Sequence, residues 1–125
     1  MRILLIEDDE TVADLVTSFM REARHEITHT ATGQEGLDRA MHGRFDVMIF
    51  DRQLPGGMDG ADLLRKLRDQ HVNTPVLFLS ALGGLEDWMT GLEAGGDDYL
   101  SKPFQCAELL SRVEALHQRQ AAPSI

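Results

Sequence analysis

The sequence predicts an α/β fold, a doubly wound five-stranded parallel sheet with helices on both faces. Three observations predict it. Short apolar segments recur five times along the 125 residues, and stretches with helical spacing separate them. The first, third and fourth of these segments are apolar nearly throughout, as strands covered on both faces must be. Strand and helix alternating in this way imply right-handed crossovers, which put a helical layer on each side of the sheet.

The elements follow in chain order. "RILLI" (2–6) reads as strand one, and residues 10–24 as a helix with Val12, Ala13, Leu15, Val16, Phe19 and Met20 on one face and Thr11 as its cap. "EITHT" (26–30) is strand two, followed by a short helix over 33–42 that turns Leu37, Ala40 and Met41 inward. "DVMIF" (46–50) is strand three, and the helix over 60–71 buries Ala61, Leu63, Leu64 and Leu67. "PVLFL" (75–79) is strand four; a weaker helix over 85–94 is stopped by Gly95 and Gly96. "DYLS" (98–101) is strand five, before a last helix over 105–119 with Ala107, Leu109, Leu110, Val113 and Leu116 inward. Residues 1–119 therefore read as one domain, and 120–125 as a linker-like tail.

Composition narrows the function. Apolar residues make up 42% of the chain, yet no run approaches the length of about 18 residues that a membrane span requires. A single cysteine, Cys106, excludes an intrachain disulfide and suits the reducing cytoplasm, where the protein is expected. With 21 acidic and 12 basic residues the formal charge is −9, which repels a phosphate backbone. This chain is not expected to bind DNA or a membrane by itself.

Parallel sheets of this kind hold their sites outside the carboxyl ends of the strands. There the sequence places Glu7, Asp8 and Asp9 after strand one, Asp51 after strand three, Ser80 after strand four and Lys102 after strand five. Strands one and three lie side by side in such a sheet, so Asp8 and Asp51 repel each other unless a cation stands between them. Hard carboxylate oxygens with no His or Cys nearby select magnesium or a similar ion. One acid at a strand end is readily a solvated loop residue; acids on two strand ends, with a hydroxyl and a lysine on two more, are not. A carboxylate, a hydroxyl and a lysine around Mg2+ suit a phosphoryl group. The carboxylate can itself be the nucleophile, which makes Asp51 the candidate for phosphorylation.

The "IEDDE" start, "RQLPGGMDG" after Asp51, Ser80 in "LFLSA" and "GLEAGGDDYLSKPF" together resemble the receiver domain of two-component response regulators, most closely the OmpR/PhoB type, over residues 1 to about 119. The resemblance implies a CheY-like, flavodoxin-like sheet with strand order 2-1-3-4-5. It implies a phosphoacceptor domain rather than a conventional enzyme, with a sensor histidine kinase as donor. Asp8 matches a direct Mg2+ ligand, Glu7 a ligand through water and the Gln53 backbone carbonyl a further ligand. Ser80 and Lys102 match the groups that hold the phosphoryl oxygens, and Tyr99 the aromatic switch that turns inward when Ser80 moves. The Lys102–Pro103 peptide is expected to be cis.

The same resemblance implies a homodimer through the fourth helix, fifth strand and fifth helix, with Trp88, Asp97, Asp98, Glu108, Arg112 and Arg119 at the interface. Trp88 stands where the type commonly has a basic residue facing Glu108, so a weaker or partly aromatic contact is expected. The loop after Asp51 carries one extra glycine at Gly56–Gly57, which permits mobility. Leu82 and Gln53 flank the approach of water to the phosphoryl group, and slow autodephosphorylation is expected. A C-terminal DNA-binding domain is expected in the native protein, absent from this chain; a stand-alone receiver acting by protein contacts is the alternative.

Two distant readings fit poorly. A haloacid dehalogenase-like phosphohydrolase wants an aspartate two residues after the nucleophile, where this chain has Gln53. A flavin or nucleotide binder wants a glycine or hydroxyl loop after strand one, where this chain has three acids. His25, His29, His42, His71 and His117 are scattered and take no metal role, Cys106 is read as a packing residue, and Trp88 and Met89 suit either core or interface.

Overall fold

The computed structural model describes residues 1–81 and 84–121. Its strands β1 (Arg2–Ile6), β2 (Glu26–Thr30), β3 (Val47–Phe50), β4 (Val76–Ser80) and β5 (Asp98–Ser101) form one parallel sheet in the order β2-β1-β3-β4-β5. Ile6 pairs with Phe50, Phe50 with Phe78, and Ser80 with Ser101. That register gathers the carboxyl ends of four strands along one edge of the sheet, where the chemistry-bearing residues begin.

Alternation along each strand divides the apolar side chains between two cores. Leu4, Ile6, Met48, Phe50, Val76 and Phe78 pack on one face, beneath α2 (Gly33–His42), α3 (Gly60–Asp69) and α4 (Leu85–Glu93). Ile3, Leu5, Val47, Ile49, Leu77 and Leu79 pack on the other, beneath α1 (Glu10–Glu22) and α5 (Cys106–Ala121). Burying one such side chain contributes about 1.5–3 kcal/mol. The two-sided burial explains why β3 and β4 carry no charged residue.

Local details correct the sequence reading in several places. Asp9, not Thr11, caps α1, its carboxylate accepting from the Thr11 and Val12 backbone N–H groups at 2.9 and 3.3 Å. The third acid of the run thus serves the helix. Ser80 is the last residue of β4 rather than the first after it. Leu15, Met41 and Ala107, expected inward, are exposed. On α1 the buried line is Ala13, Val16 and Met20, and Leu15 lies one step round from it. The last helix runs to Ala121, two residues beyond its expected end, whereas Leu82 and residues 122–125 of the tail lie outside the described residues.

The loop after β3 accommodates its extra glycine in an ordered way. Gln53–Leu54 pairs antiparallel with Met58–Asp59, and a short 3-10 turn over Pro55–Gly57 closes the ladder. Gly56 and Gly57 both take left-handed conformations, with φ of 76° and 74°, which side chains disfavour. Asp59 then caps α3 through the Ala61 N–H at 2.9 Å. Among the described residues no helix is long and apolar enough to cross a membrane.

Candidate functional site

Backbone hydrogen bonds carry the sheet one residue past the strand ends. Glu7 N–H donates to the Thr30 carbonyl and Asp51 N–H to the Ile6 carbonyl, each at 3.0 Å. Both carboxylates are thereby fixed on a rigid frame and buried, Glu7 at 1% exposure and Asp51 at 6%. Asp8 is exposed, and one oxygen from each of the three acids lies within 4.8 Å of the others. Lys102 enters from β5, its N–H donating to the Ser80 carbonyl at 2.8 Å. Its ammonium lies 2.5 Å from Glu7 Oε1 and 3.1 Å from Asp51 Oδ2. The other oxygen of Asp51 accepts from the Gln53 N–H at 3.0 Å, which sets the carboxylate's rotation. The Lys102–Pro103 peptide is cis, as expected.

Charge at this site is unbalanced. Burial, then the neighbouring Asp51 carboxylate, push the Glu7 carboxyl up to about 7, and Lys102 only partly offsets them. Burial pulls the Lys102 ammonium down, but its hydrogen bonds to Glu7 and Asp51 outweigh this and raise it above its ordinary value. Three carboxylates facing one ammonium leave net negative charge when all are ionised. A divalent cation with a preference for hard oxygen donors fits that deficit, and the donor set has the chemistry Mg2+ selects. Glu7, Asp8 and Asp51 form the one such cluster among the described residues, and no histidine joins it. His29 has a different part: its Nε2–H donates to the Glu7 carbonyl at 2.7 Å and so braces the backbone of the site.

Next to the acids stands a second group. Ser80 is fully buried and Tyr99 is 1% exposed. Burial raises the Tyr99 phenol, opposed by hydrogen bonding with Ser80 and Arg52. Phe78 and Trp88 cover the Tyr99 ring at centroid distances of 6.1 and 5.4 Å. Trp88 is therefore half-buried against the core instead of standing free on the surface, while Met89 is exposed.

The other surface residues singled out in the sequence fall on α5, β5 and the turn before it. Asp98 pairs within the chain with Arg112 at 3.0 Å, and Asp97 with Arg68 at 3.4 Å. Glu108 and Arg119 are exposed on α5, and Gln53 is exposed beside Asp51. Arg52 went unnoticed in the sequence, although it is 4% exposed and directly follows the candidate phosphoacceptor. Its available signal was a charge placed straight after a buried strand, with an acid, Asp59, across the glycine turn.

Known proteins share this fold. The response regulator receiver domain family model matches residues 3–114. The chain is 40% identical over 119 residues to the cell cycle response regulator CtrA of Brucella ovis, an alignment covering 95% of this chain and 51% of that protein. It thus spans about half the length of the curated relatives it matches. A Francisella response regulator receiver domain superposes with a TM-score of 0.90 at 38% identity, covering 95% of this chain and 98% of that one. The receiver domain of a Pseudomonas aeruginosa sensor histidine kinase, solved with a magnesium ion coordinated in its active-site cleft, gives 0.85 at 30% identity over 94% and 97% of the two chains. A family match across nearly all of the described sheet, joined to solved receivers with the same architecture, establishes that the chain belongs to the response regulator receiver domains.

Proposed function

We propose that Asp51 accepts a phosphoryl group from the phosphohistidine of a sensor histidine kinase, and that this changes the affinity of the α4-β5-α5 face for a second copy of the chain. The single observation that carries the reading is the Lys102 ammonium, hydrogen-bonded at once to Glu7 and to Asp51 among clustered acids. In the transfer, an Asp51 carboxylate oxygen bonds to phosphorus while the P–N bond breaks and its electron pair leaves with the imidazole. The Gln53 N–H holds the carboxylate's rotation throughout. Lys102 exchanges its bond to Asp51 for a phosphoryl oxygen, and the Ser80 hydroxyl donates to another. Ser80 and Tyr99 are already linked, so a shift of one is felt by the other.

Mg2+ would be held by Asp8, Asp51 and the Gln53 carbonyl, with Glu7 acting through water. When bound it supplies positive charge toward the phosphoryl oxygens. The magnesium in the Pseudomonas receiver supports this assignment. Likeness to CtrA, a response regulator about twice as long, supports the OmpR/PhoB assignment and transcriptional control by the full-length protein through a further, DNA-binding domain. The dimer is read onto Trp88, Asp97, Asp98, Glu108, Arg112 and Arg119. A slow autodephosphorylation is part of the same reading, with Gln53 exposed at one side of the acyl phosphate.

Incubation with acetyl phosphate and Mg2+, followed by mapping of the mass increase, tests the proposal. The expected result is one modification, on Asp51, lost in Asp51→Asn and in the absence of Mg2+. Unchanged labelling of that variant would overturn it.

A further inference from the structure

A guanidinium withdrawn from water must place its N–H groups on acceptors, because stranded donors in a low-dielectric interior are costly. Arg52 does so in several directions, one of them the Tyr99 phenol itself. Nε and Nη2 hold the two oxygens of Asp59 at 2.7 and 3.0 Å, a bidentate pair with fixed orientation. Nη1 donates to the Asp87 carbonyl at 2.7 Å. The group also lies over the Phe78 ring, 5.9 Å from its centroid. None of these contacts belongs to phosphoryl transfer.

Their placement gives them a direction. Asp59 caps α3 and closes the ladder of the β3–α3 loop, so it is a fixed point. Asp87 is in the first turn of α4, and Arg52 grips its backbone, so the bond fixes the position of the helix itself. The next residue of that turn, Trp88, covers Tyr99 at 5.4 Å. An unbroken path of contacts thus runs from the residue after Asp51, through the first turn of α4, to the ring that lids the aromatic switch.

We propose that Arg52 is a positioning residue that latches α4 to the β3–α3 loop and so holds Tyr99 in its inward position under Trp88. The inference deepens the reading of Asp51 as phosphoacceptor and rests on it for its regulatory meaning. Substitution at Arg52 then releases α4 without touching an acid of the site. Losing a charge-assisted bond of this kind changes the closed-to-released ratio on the order of tenfold.

Trp88 is the only tryptophan and serves as reporter. The measurement is acrylamide quenching of its fluorescence in the unphosphorylated chain, with urea unfolding in parallel to establish that each variant is folded. Arg52→Met, which keeps length and removes every donor, is expected to raise the quenching constant at least about twofold. Arg52→Lys is expected to recover part of the protection, since it retains a donor for the Asp87 carbonyl. Asp59→Asn keeps a good cap for α3 but loses the ionic pair, and an intermediate value is expected. Folded Arg52→Met with wild-type quenching would overturn the latch; should that variant not fold, unchanged quenching in Asp59→Asn would do so. No phosphodonor enters these readings. Failure of Asp51 labelling would therefore sink the phosphoacceptor assignment and leave the contact network standing, whereas unchanged quenching beside normal labelling would sink the latch alone.

Discussion

Lys102 and Glu7 stand 95 positions apart in the chain, yet the ammonium of one lies 2.5 Å from a carboxylate oxygen of the other. The contact joins the end of β5 to the end of β1 across a site whose acids outnumber its bases. Removing Lys102 leaves Glu7 and Asp51 facing each other with little solvent. Lys102→Met is expected to cost about 3 kcal/mol of stability in Mg2+-free buffer, as breaking a buried ion pair does. Added Mg2+ should restore part of that loss in a urea titration. Phosphorylation by acetyl phosphate should slow by roughly 10²-fold, the scale of losing one preorganised stabilising group.

Glu7 gives the site a pH dependence with a definite sign. Its carboxyl is raised from an ordinary 4.5 to about 7, so between those values the folded chain holds a proton that the unfolded chain releases. The resulting stability is fully present below about 4.5 and is lost as pH rises through about 7. Urea midpoints without Mg2+ should therefore contain a component that falls across this window and vanishes in Glu7→Gln. Mg2+ needs the ionised form, so its affinity, measured by calorimetry, should weaken by up to about tenfold for each pH unit below the Glu7 value.

Gly60 is pressed against the backbone of Asp51, the proposed phosphoacceptor. A Cβ at that position would overlap the Asp51 carbonyl oxygen and crowd the Arg52 Cα. Because backbone atoms cannot swing aside, Gly60→Ala is expected to destabilise the fold by about 1–3 kcal/mol, the cost of overpacking. It should also slow Asp51 labelling, since the displaced backbone carries the carboxylate. Thermal unfolding and labelling kinetics on the same sample check both.

The outer face of α4 presents Met89 and Leu92, exposed at 51% and 45%. If this face joins two copies, Leu92→Asp should weaken dimers formed with beryllofluoride and Mg2+ by roughly tenfold, typical of a charge placed in a desolvated contact. Sedimentation velocity reads the association, and labelling of Asp51 should be unchanged.

The parts of the fold set by repetition were legible in the sequence. Short apolar segments marked the strands, and the charged residues that ended three of them, with the Ser80 hydroxyl at a fourth, marked the site, because a buried frame confines polar groups to its edge. Helix faces were less legible. Leu15 and Met41 extend an apolar stripe beyond the area its neighbours cover, and no periodicity reports where that cover stops. The cap of α1 was ambiguous because Asp9 and Thr11 both suit the role, and backbone conformation decided for Asp9. Arg52 was hidden for another reason. One of its partners is a backbone carbonyl 35 residues away, which leaves no trace in side-chain identity.

The small ladder of Gln53–Leu54 with Met58–Asp59 separates two jobs within one loop. Below it, Asp51 and the start of α3 are tied to the sheet; above it, Pro55–Gly57 form a tip tied to neither. Length and composition of the tip can consequently change while the Asp51 carboxylate keeps its place. A changed tip is expected to alter what the molecule shows to others while leaving the labelling of Asp51 alone.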